Sequence, residues 1–231
     1  MIKYFNGTIF NIKADAIVNT VNTVGVMGTG LALEFALRYP QMYSAYKQKC
    51  DEKSLCVGEL MYYQGYEKII INFPTKWHFR YPSKIEWIEK GLKEFVKTYK
   101  KYNVKTVAFP KLGTLNGGLS WLDVKELMEK YLEPLDILIY ICLDTIIEPQ
   151  GKEAEMVDTV NSLSIDVISS EIQLTKKQAQ LLKEALPIDR FWKINEIEGI
   201  GVAAYTKIFN YCYNNKNSNK TEQTSFFDQI K

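Results

Sequence analysis

The chain of 231 residues holds a single histidine, His78. Catalysis by a histidine with a nucleophile and an orienting acid therefore has little raw material. Four cysteines, Cys50, Cys56, Cys142 and Cys212, show no CxxC spacing. With one histidine beside them they form no zinc-ligand set, so no metal is expected, and they read as reduced, mostly buried thiols. Long apolar runs are missing too. The longest, such as Leu135 to Ile141, fall far short of the roughly 20 residues a membrane helix needs. The stretch Met1-Ile2-Lys3-Tyr4-Phe5-Asn6-Gly7 has neither a long apolar core nor a small-residue cleavage site. No secretory leader is expected there, and the expected location is cytoplasmic.

What is present is ordinary for a globular protein with a real core: 46% hydrophobic and 24% charged residues exclude a wholly disordered chain. The net charge of +2 hides an uneven distribution. Residues 72–111 carry ten Lys or Arg against three Glu, and residues 112–174 carry three Lys against twelve acids. Solvated helix faces account for such counts. So does a basic surface for an anionic ligand beside an acidic surface for a protein partner.

Strand and helix signals alternate through the first 150 residues. Ile2–Phe5, Ala16–Asn19, Lys68–Phe73, Val104–Phe109 and Leu135–Leu143 read as strands, several of them continuously apolar. Leu31–Tyr39, the stripe Ile85, Ile88, Leu92, Phe95, Val96 and Tyr99, and Leu119–Leu132 read as helices. Ser83 with Glu86 three residues on has capping-box spacing. Apolar strands separated by helices imply a sheet covered on both faces. After Pro149 the pattern changes. Residues 151–171 are acidic with no clear period, then Thr175–Leu186, Phe191–Ile197 and Val202–Tyr213 read as helical. The expected organisation is an α/β domain over 1–150, a small helical region over 151–213 and a flexible tail over 214–231.

Two loops suit a diphosphate. The strand Ala16–Asn19 runs through Asn22-Thr23-Val24-Gly25-Val26-Met27-Gly28-Thr29-Gly30 into a helix, and Val104–Phe109 runs through Gly113-Thr114-Leu115-Asn116-Gly117-Gly118 into another. Glycines ahead of a helix let backbone N–H groups approach an anion, and the helix dipole adds to the attraction. Both loops lie at carboxyl ends of strands, where open α/β sheets bind ligands. Plain turns would look the same, and neither loop fits the P-loop or the usual dinucleotide fingerprint.

Three ordered segments narrow the field: Val18-Asn19-Thr20-Val21-Asn22 through Gly30, Asn72-Phe73-Pro74-Thr75-Lys76, and Leu112-Gly113 through Trp121. Together with Gly7-Thr8-Ile9 they resemble the macrodomains, and among them the DNA ADP-ribosyl glycohydrolase antitoxins of the DarG type. The resemblance covers about residues 1–147. It implies a three-layer α/β/α macrodomain with a mixed central sheet, and an enzyme without cofactor that releases ADP-ribose from a modified base of single-stranded DNA. It also implies a partner toxin that is a DNA ADP-ribosyltransferase. It makes Lys76 catalytic and sets Asn22 on the distal ribose. It assigns ADP-ribose contacts to Thr8, Ile9, Asn19, Thr23, Val24, Gly25, Val26, Met27, Gly28, Gly30 and the loop Gly113 to Gly118. Thr8 stands where the family usually has Asp, and Leu115 where it usually has a further glycine. A non-catalytic reader of ADP-ribose or modified DNA, and a hydrolase of modified protein or small ADP-ribose derivatives, remain alternatives.

Trp77, His78, Phe79, Arg80 and Tyr81 follow Lys76 directly, and Lys84 extends the strip. Interleaved aromatic and basic residues suit stacking on unpaired bases and contacting phosphates, so Trp77, His78, Arg80 and Lys84 are candidate DNA contacts. Farther on, Ile194 through Ile208, centred on Gly199-Ile200-Gly201, resembles a helix–hairpin–helix, although a plain turn between helices, or a surface that docks the toxin, fits as well. Gln223-Thr224-Ser225-Phe226-Phe227 resembles a bacterial sliding-clamp-binding peptide.

Overall fold

The computed structural model describes residues 1–146 and 148–214. The chain folds as two units, Met1–Gly151 and Lys152–Lys231. In the first, six strands follow in chain order: β1 (Ile2–Phe5), β2 (Ala16–Val21), β3 (Met61–Gln64), β4 (Ile69–Pro74), β5 (Thr106–Pro110) and β6 (Leu138–Cys142). The helices are α1 (Gly30–Arg38), α2 (Pro40–Asp51), α3 (Ile85–Thr98) and α4 (Trp121–Leu132), with a 3-10 turn at Ile9–Asn11. The strands form one sheet in the order β1-β6-β5-β2-β4-β3. Every neighbouring pair is parallel except β3 with β4, so the sheet is mixed.

Alternation along each strand sends side chains to two cores. Ala16, Val18, Ile69, Ile71, Phe73, Val107 and Phe109 pack against Ile88, Leu92 and Phe95 of α3 and Val124, Met128 and Leu132 of α4. Ile17, Val21, Ile70 and Ala108 pack on the other face against Phe35 of α1 and Met42, Tyr46 and Cys50 of α2. The result is the expected three-layer α/β/α architecture. α3 comes close to the sheet because position 91 has no side chain: a Cβ there would overlap the Phe73 ring.

Several boundaries differ from the sequence reading. α4 begins at Trp121 rather than Leu119, because the Leu119 N–H turns back to the Gly113 carbonyl at 3.1 Å. Ser83 does not cap α3. The N-cap position is Lys84 with no side-chain cap, and the buried Ser83 Oγ has no hydrogen-bond partner. The structure adds α2, started by Pro40, and the antiparallel edge strand β3.

In the second unit, α5 (Lys152–Ser162) and α6 (Ile165–Ser170) replace the featureless stretch read from the sequence. Their buried faces, Met156, Val157, Val160 and Ile168, are apolar, while their acids lie outward or in ion pairs. α7 (Lys176–Ala185) carries the Thr175–Gln178 capping box, and a 3-10 turn (Phe191–Glu196) precedes α8 (Val202–Asn214). Arg190 grips the Glu153 carboxylate with two N–H donors, at 2.9 and 3.1 Å, at the buried base of this unit. Tyr205 and Ile200 are core residues, and the Ile200 N–H donates to the Ile197 carbonyl at 3.0 Å rather than facing outward as a phosphate-binding hairpin amide would. The segment Gln223 to Phe227 lies outside the described residues. No described helix is long and apolar enough to cross a membrane.

Gly91→Ala tests the close approach of α3 to the sheet. Alanine favours a helix over glycine by about 1 kcal/mol, but overpacking a rigid core costs about 1–3 kcal/mol. The expected outcome is a lower melting temperature in thermal denaturation.

Candidate functional site

The connections after the central strands leave the sheet in opposite directions. β2 leads to α1 and α2 on one face, whereas β4 and β5, which flank it, lead to α3 and α4 on the other. A crevice opens at the carboxyl ends of strands where such connections diverge. Three segments border it here: 22–29 after β2, 75–84 after β4 and 111–120 after β5.

Asn22 organises the first of these segments. Its Oδ1 accepts from the N–H groups of Val24 at 3.0 Å and Val26 at 3.3 Å, and its Nδ2 donates to the Val26 carbonyl at 2.6 Å. The Tyr46 hydroxyl donates to the Asn22 carbonyl at 2.7 Å. Burial raises the Tyr46 phenol pKa, so it stays a donor. Asn22 is thus engaged with its own loop at both ends of its amide, where the sequence reading offered that amide to a ribose. The N–H groups of Val24 and Val26 are spent inside the turn as well. Those of Gly28, Thr29 and Gly30 have no partner among the described residues, and they lead into the open first turn of α1. Gly25 at φ +78° and Gly30 at φ +57° supply the left-handed backbone that this path requires.

Lys76 continues β4 beyond its last paired residue. The N–H groups of Thr75 and Lys76 donate to the Val21 carbonyl at 2.9 and 3.3 Å, which carries the segment along the end of β2. Thr23 closes the gap from the other side: its hydroxyl donates to the Trp77 carbonyl at 2.6 Å. Lys76 Nζ donates to the Phe79 carbonyl at 3.4 Å and to the Asn116 carbonyl of the segment after β5. The Asn116 amide in turn lies 3.1 Å from where a Gly30 Cβ would stand. The three segments therefore meet, with Lys76 between two of them. Asn116 thus brings one glycine loop up to the start of the helix that follows the other.

Partial burial lowers the Lys76 pKa below the ordinary lysine value. Both of its acceptors are neutral carbonyls, and no described carboxylate pairs with it. An ammonium held this way is a stronger acid than a solvated one.

The segment after β5 is a tight turn. A Cβ at Gly117 would collide with the Gly113 carbonyl oxygen and stand 2.5 Å from Ser83 Oγ. The Gly117 carbonyl accepts from the Ser83 N–H at 2.8 Å. The Gly118 N–H is used within the turn, on the Leu115 carbonyl at 3.0 Å, whereas those of Thr114, Leu115, Asn116 and Gly117 have no partner among the described residues. The Leu115 side chain is 82% exposed and plugs nothing.

Four predicted contacts sit elsewhere or differently. Asn19 is fully buried in the layer below, where its Nδ2 donates to Asn72 Oδ1 at 2.9 Å beside the sulfurs of Met27 and Met42. The register Asn19↔Asn72 produces this pair, so Asn19 has no face for a ligand. Ile9 and Met27 are core residues, which leaves them only backbone to offer. Thr8 precedes the 3-10 turn after β1, at the same carboxyl edge of the sheet and separated from β2 by β6 and β5. The site residues that sequence reasoning missed are Tyr46, which anchors Asn22, and Ser83, which anchors Gly117. Their partners are 24 and 34 residues away in the chain, so no local pattern reveals them.

Trp77 and Tyr81 stack at 5.8 Å with planes 14° apart, and both are more than half exposed. His78 lies against Phe79 and accepts from the Arg80 N–H at 3.2 Å. The strip is a surface cluster rather than core, and Lys84 stands at its end, at the head of α3.

Fold and site together define an α/β/α module with amide-rich loops and a lysine at its ligand edge. The macro domain family model matches residues 18–128. The DNA ADP-ribosyl glycohydrolase of Thermus aquaticus is 35% identical over 190 residues, covering 79% of this chain and 49% of that protein. A DNA ADP-ribosyl transferase–glycohydrolase fusion protein of Thermosipho africanus is 34% identical over 156 residues, 59% of this chain and 40% of that one. Among solved structures, the macrodomain of Mycobacterium tuberculosis DarG superposes with a TM-score of 0.60 at 40% identity, covering 62% of this chain and 97% of that one. Thermosipho africanus DarTG in complex with ADP-ribose gives 0.59 at 34% identity, covering 63% and 43%. The chain belongs to the macrodomain family, in its DarG group. It spans about half the length of the curated glycohydrolase from Thermus aquaticus.

Replacing Asn22 with alanine leaves the Val24 and Val26 N–H groups and the Val26 carbonyl without their side-chain partner, at about 1–3 kcal/mol, while the Tyr46 hydroxyl keeps the backbone carbonyl of residue 22. The expected result for Asn22→Ala is a lower melting temperature together with at least tenfold weaker ADP-ribose binding by calorimetry. Unchanged affinity would mean that the amide does not shape the loop.

Proposed function

We propose that this chain hydrolyses the N-glycosidic bond between ADP-ribose and a base of single-stranded DNA, and so counters a DNA ADP-ribosyltransferase toxin in the cytoplasm. The observation that carries this reading is the placement of Lys76 between the ends of β2 and β5. Its ammonium reaches the Asn116 carbonyl, inside the turn whose Thr114 to Gly117 amides are unpartnered, and the Asn116 amide lies close to Gly30 at the end of the other amide-rich loop. The names of the DarG relatives support the substrate, and the fusion of transferase with glycohydrolase in one relative supports the partner.

In this reading the diphosphate is held by backbone N–H groups of the two loops and by the start of α1. The distal ribose then lies toward the Asn22 turn, with C1″ and its base toward Lys76. The C1″–N bond breaks through an oxocarbenium-like state, the base takes the bonding pair, and water supplies the new C1″–O bond. Lys76 donates a proton to the departing base or stabilises its negative charge, and its lowered pKa makes the donation easier. Because the lysine has no carboxylate partner, the departing base is the anion it faces. Trp77, His78, Arg80 and Lys84 lie where the DNA carrying that base would pass. In this reading Thr8, at the same carboxyl edge of the sheet, serves the adenosine end.

Lys76→Ala is expected to lower ADP-ribose release from a modified oligonucleotide at least 100-fold, the scale of general acid catalysis, while ADP-ribose still binds. Retention of full release would remove Lys76 from the mechanism. The pH profile has a definite sign. An acid is active only while protonated, so kcat falls as pH rises through the lowered Lys76 pKa, and the fall sets in below the ordinary lysine range. A rate that instead climbs through that pH would assign the lysine as an attacking amine.

A further inference from the structure

α3 is loaded with lysines on one side. Glu86, Lys90, Lys93 and Lys97 are spaced by four, three and four residues along it, so they share one solvent-facing stripe. Lys84 stands just ahead of this stripe and Lys100 and Lys101 just beyond it, all exposed. Of the acids of the helix, Glu86 occupies the head of the stripe one turn ahead of Lys90, and the other two flank the lysines. Glu89 sits to its side, taking the Tyr131 hydroxyl at 2.5 Å and Lys93 at 3.1 Å, and Glu94 is 3.9 Å from Lys97. The Lys93 and Lys97 side chains remain 51% and 73% exposed.

The position of α3 relates this stripe to the site. Its N-terminus is tied beneath the glycine turn by the bond from the Ser83 N–H to the Gly117 carbonyl. From there it runs back across the sheet for 14 residues, about 21 Å. The chain leaves the exposed Trp77–Tyr81 stack, passes Lys84 and Glu86, and enters the lysine row at Lys90, which continues along the helix to Lys97. A polymer with an aromatic base at one end and a repeating anion behind it matches both features in sequence. An acidic protein would account for the lysines but not for two exposed stacked rings at their head.

We infer that the solvent face of α3 is the track for the DNA strand flanking the modified base, with Lys90, Lys93 and Lys97 contacting its phosphates behind the Trp77–Tyr81 stack. This rests on the reading of the chain as acting on DNA, and it extends the DNA-binding surface well beyond the cleft.

The test uses an unmodified single-stranded oligonucleotide and the full chain, so it reads the track without depending on hydrolysis. Removing one lysine from a phosphate reduces the slope of log K against log salt by about 0.7. Lys90→Gln and Lys97→Gln are each expected to reduce it by about that amount. The combined Lys90→Gln, Lys93→Gln, Lys97→Gln variant is expected to reduce it by about 2, three times the single-lysine value, with melting temperature and ADP-ribose affinity unchanged. The same variant is expected to raise KM for a long modified strand while leaving kcat and the turnover of an ADP-ribosylated mononucleoside as they were. Wild-type slopes in the single variants would overturn the inference. So would an effect confined to the binding of an acidic partner protein. Failure of the hydrolytic reading shows itself separately, as absence of ADP-ribose release by the wild-type chain.

Discussion

The site depends on the divergence of connections around β2. The two parallel strands that flank it send their chains to one face while β2 sends its own to the other. Everything at the site is an arrangement of what stands around that divergence. The loop after β2 is stiffened from inside by one buried amide. The segment after β4 is pinned to it by Thr23 and by the Val21 carbonyl. The turn after β5 reaches both through Asn116.

This arrangement gives the site its electrostatic character. The groups that border it include unpartnered backbone N–H dipoles and the Lys76 ammonium, with no carboxylate paired to that ammonium among the described residues. Such a site favours a ligand that is anionic along its length and develops negative charge at one end. Lys76 is tuned by burial rather than by a charged neighbour, so the shift follows from the fold itself. A lysine next to an acid would be held in its charged form and be a poorer donor. In the function proposed above, the helix dipole of α1 and the glycine turns attract the diphosphate while the lysine addresses the base, which separates binding from chemistry between different groups.

Much of the scaffold was legible in the residues. Ile69-Ile70-Ile71 and the stripe from Ile85 to Tyr99 carry period and apolarity strong enough to announce a buried strand and an amphipathic helix, and the helix read after Thr175 formed with that threonine as its cap. Ser83 shows the limit. It has the spacing of a capping box, but the glycine turn takes its N–H and the helix starts later, behind Lys84. The stretch 151–171 shows another: short helices whose buried apolar faces are only one to three residues wide leave little period to read.

At the site the division is sharper. The sequence by itself determined which residue types stand at the strand ends: glycines that allow left-handed turns, a lysine after β4, and aromatics beside it. Composition and order suffice for that, because local backbone conformation follows from local residues. Tertiary structure alone decided what each does. Asn19 and Asn22 are three residues apart in one strand-to-loop run, and nothing local distinguishes them. Register against β4 buries the first in a pair with Asn72, and Tyr46 from α2 turns the second into the brace of a loop. Partner, burial and local charge come from residues far away in the chain, and only folding brings those together.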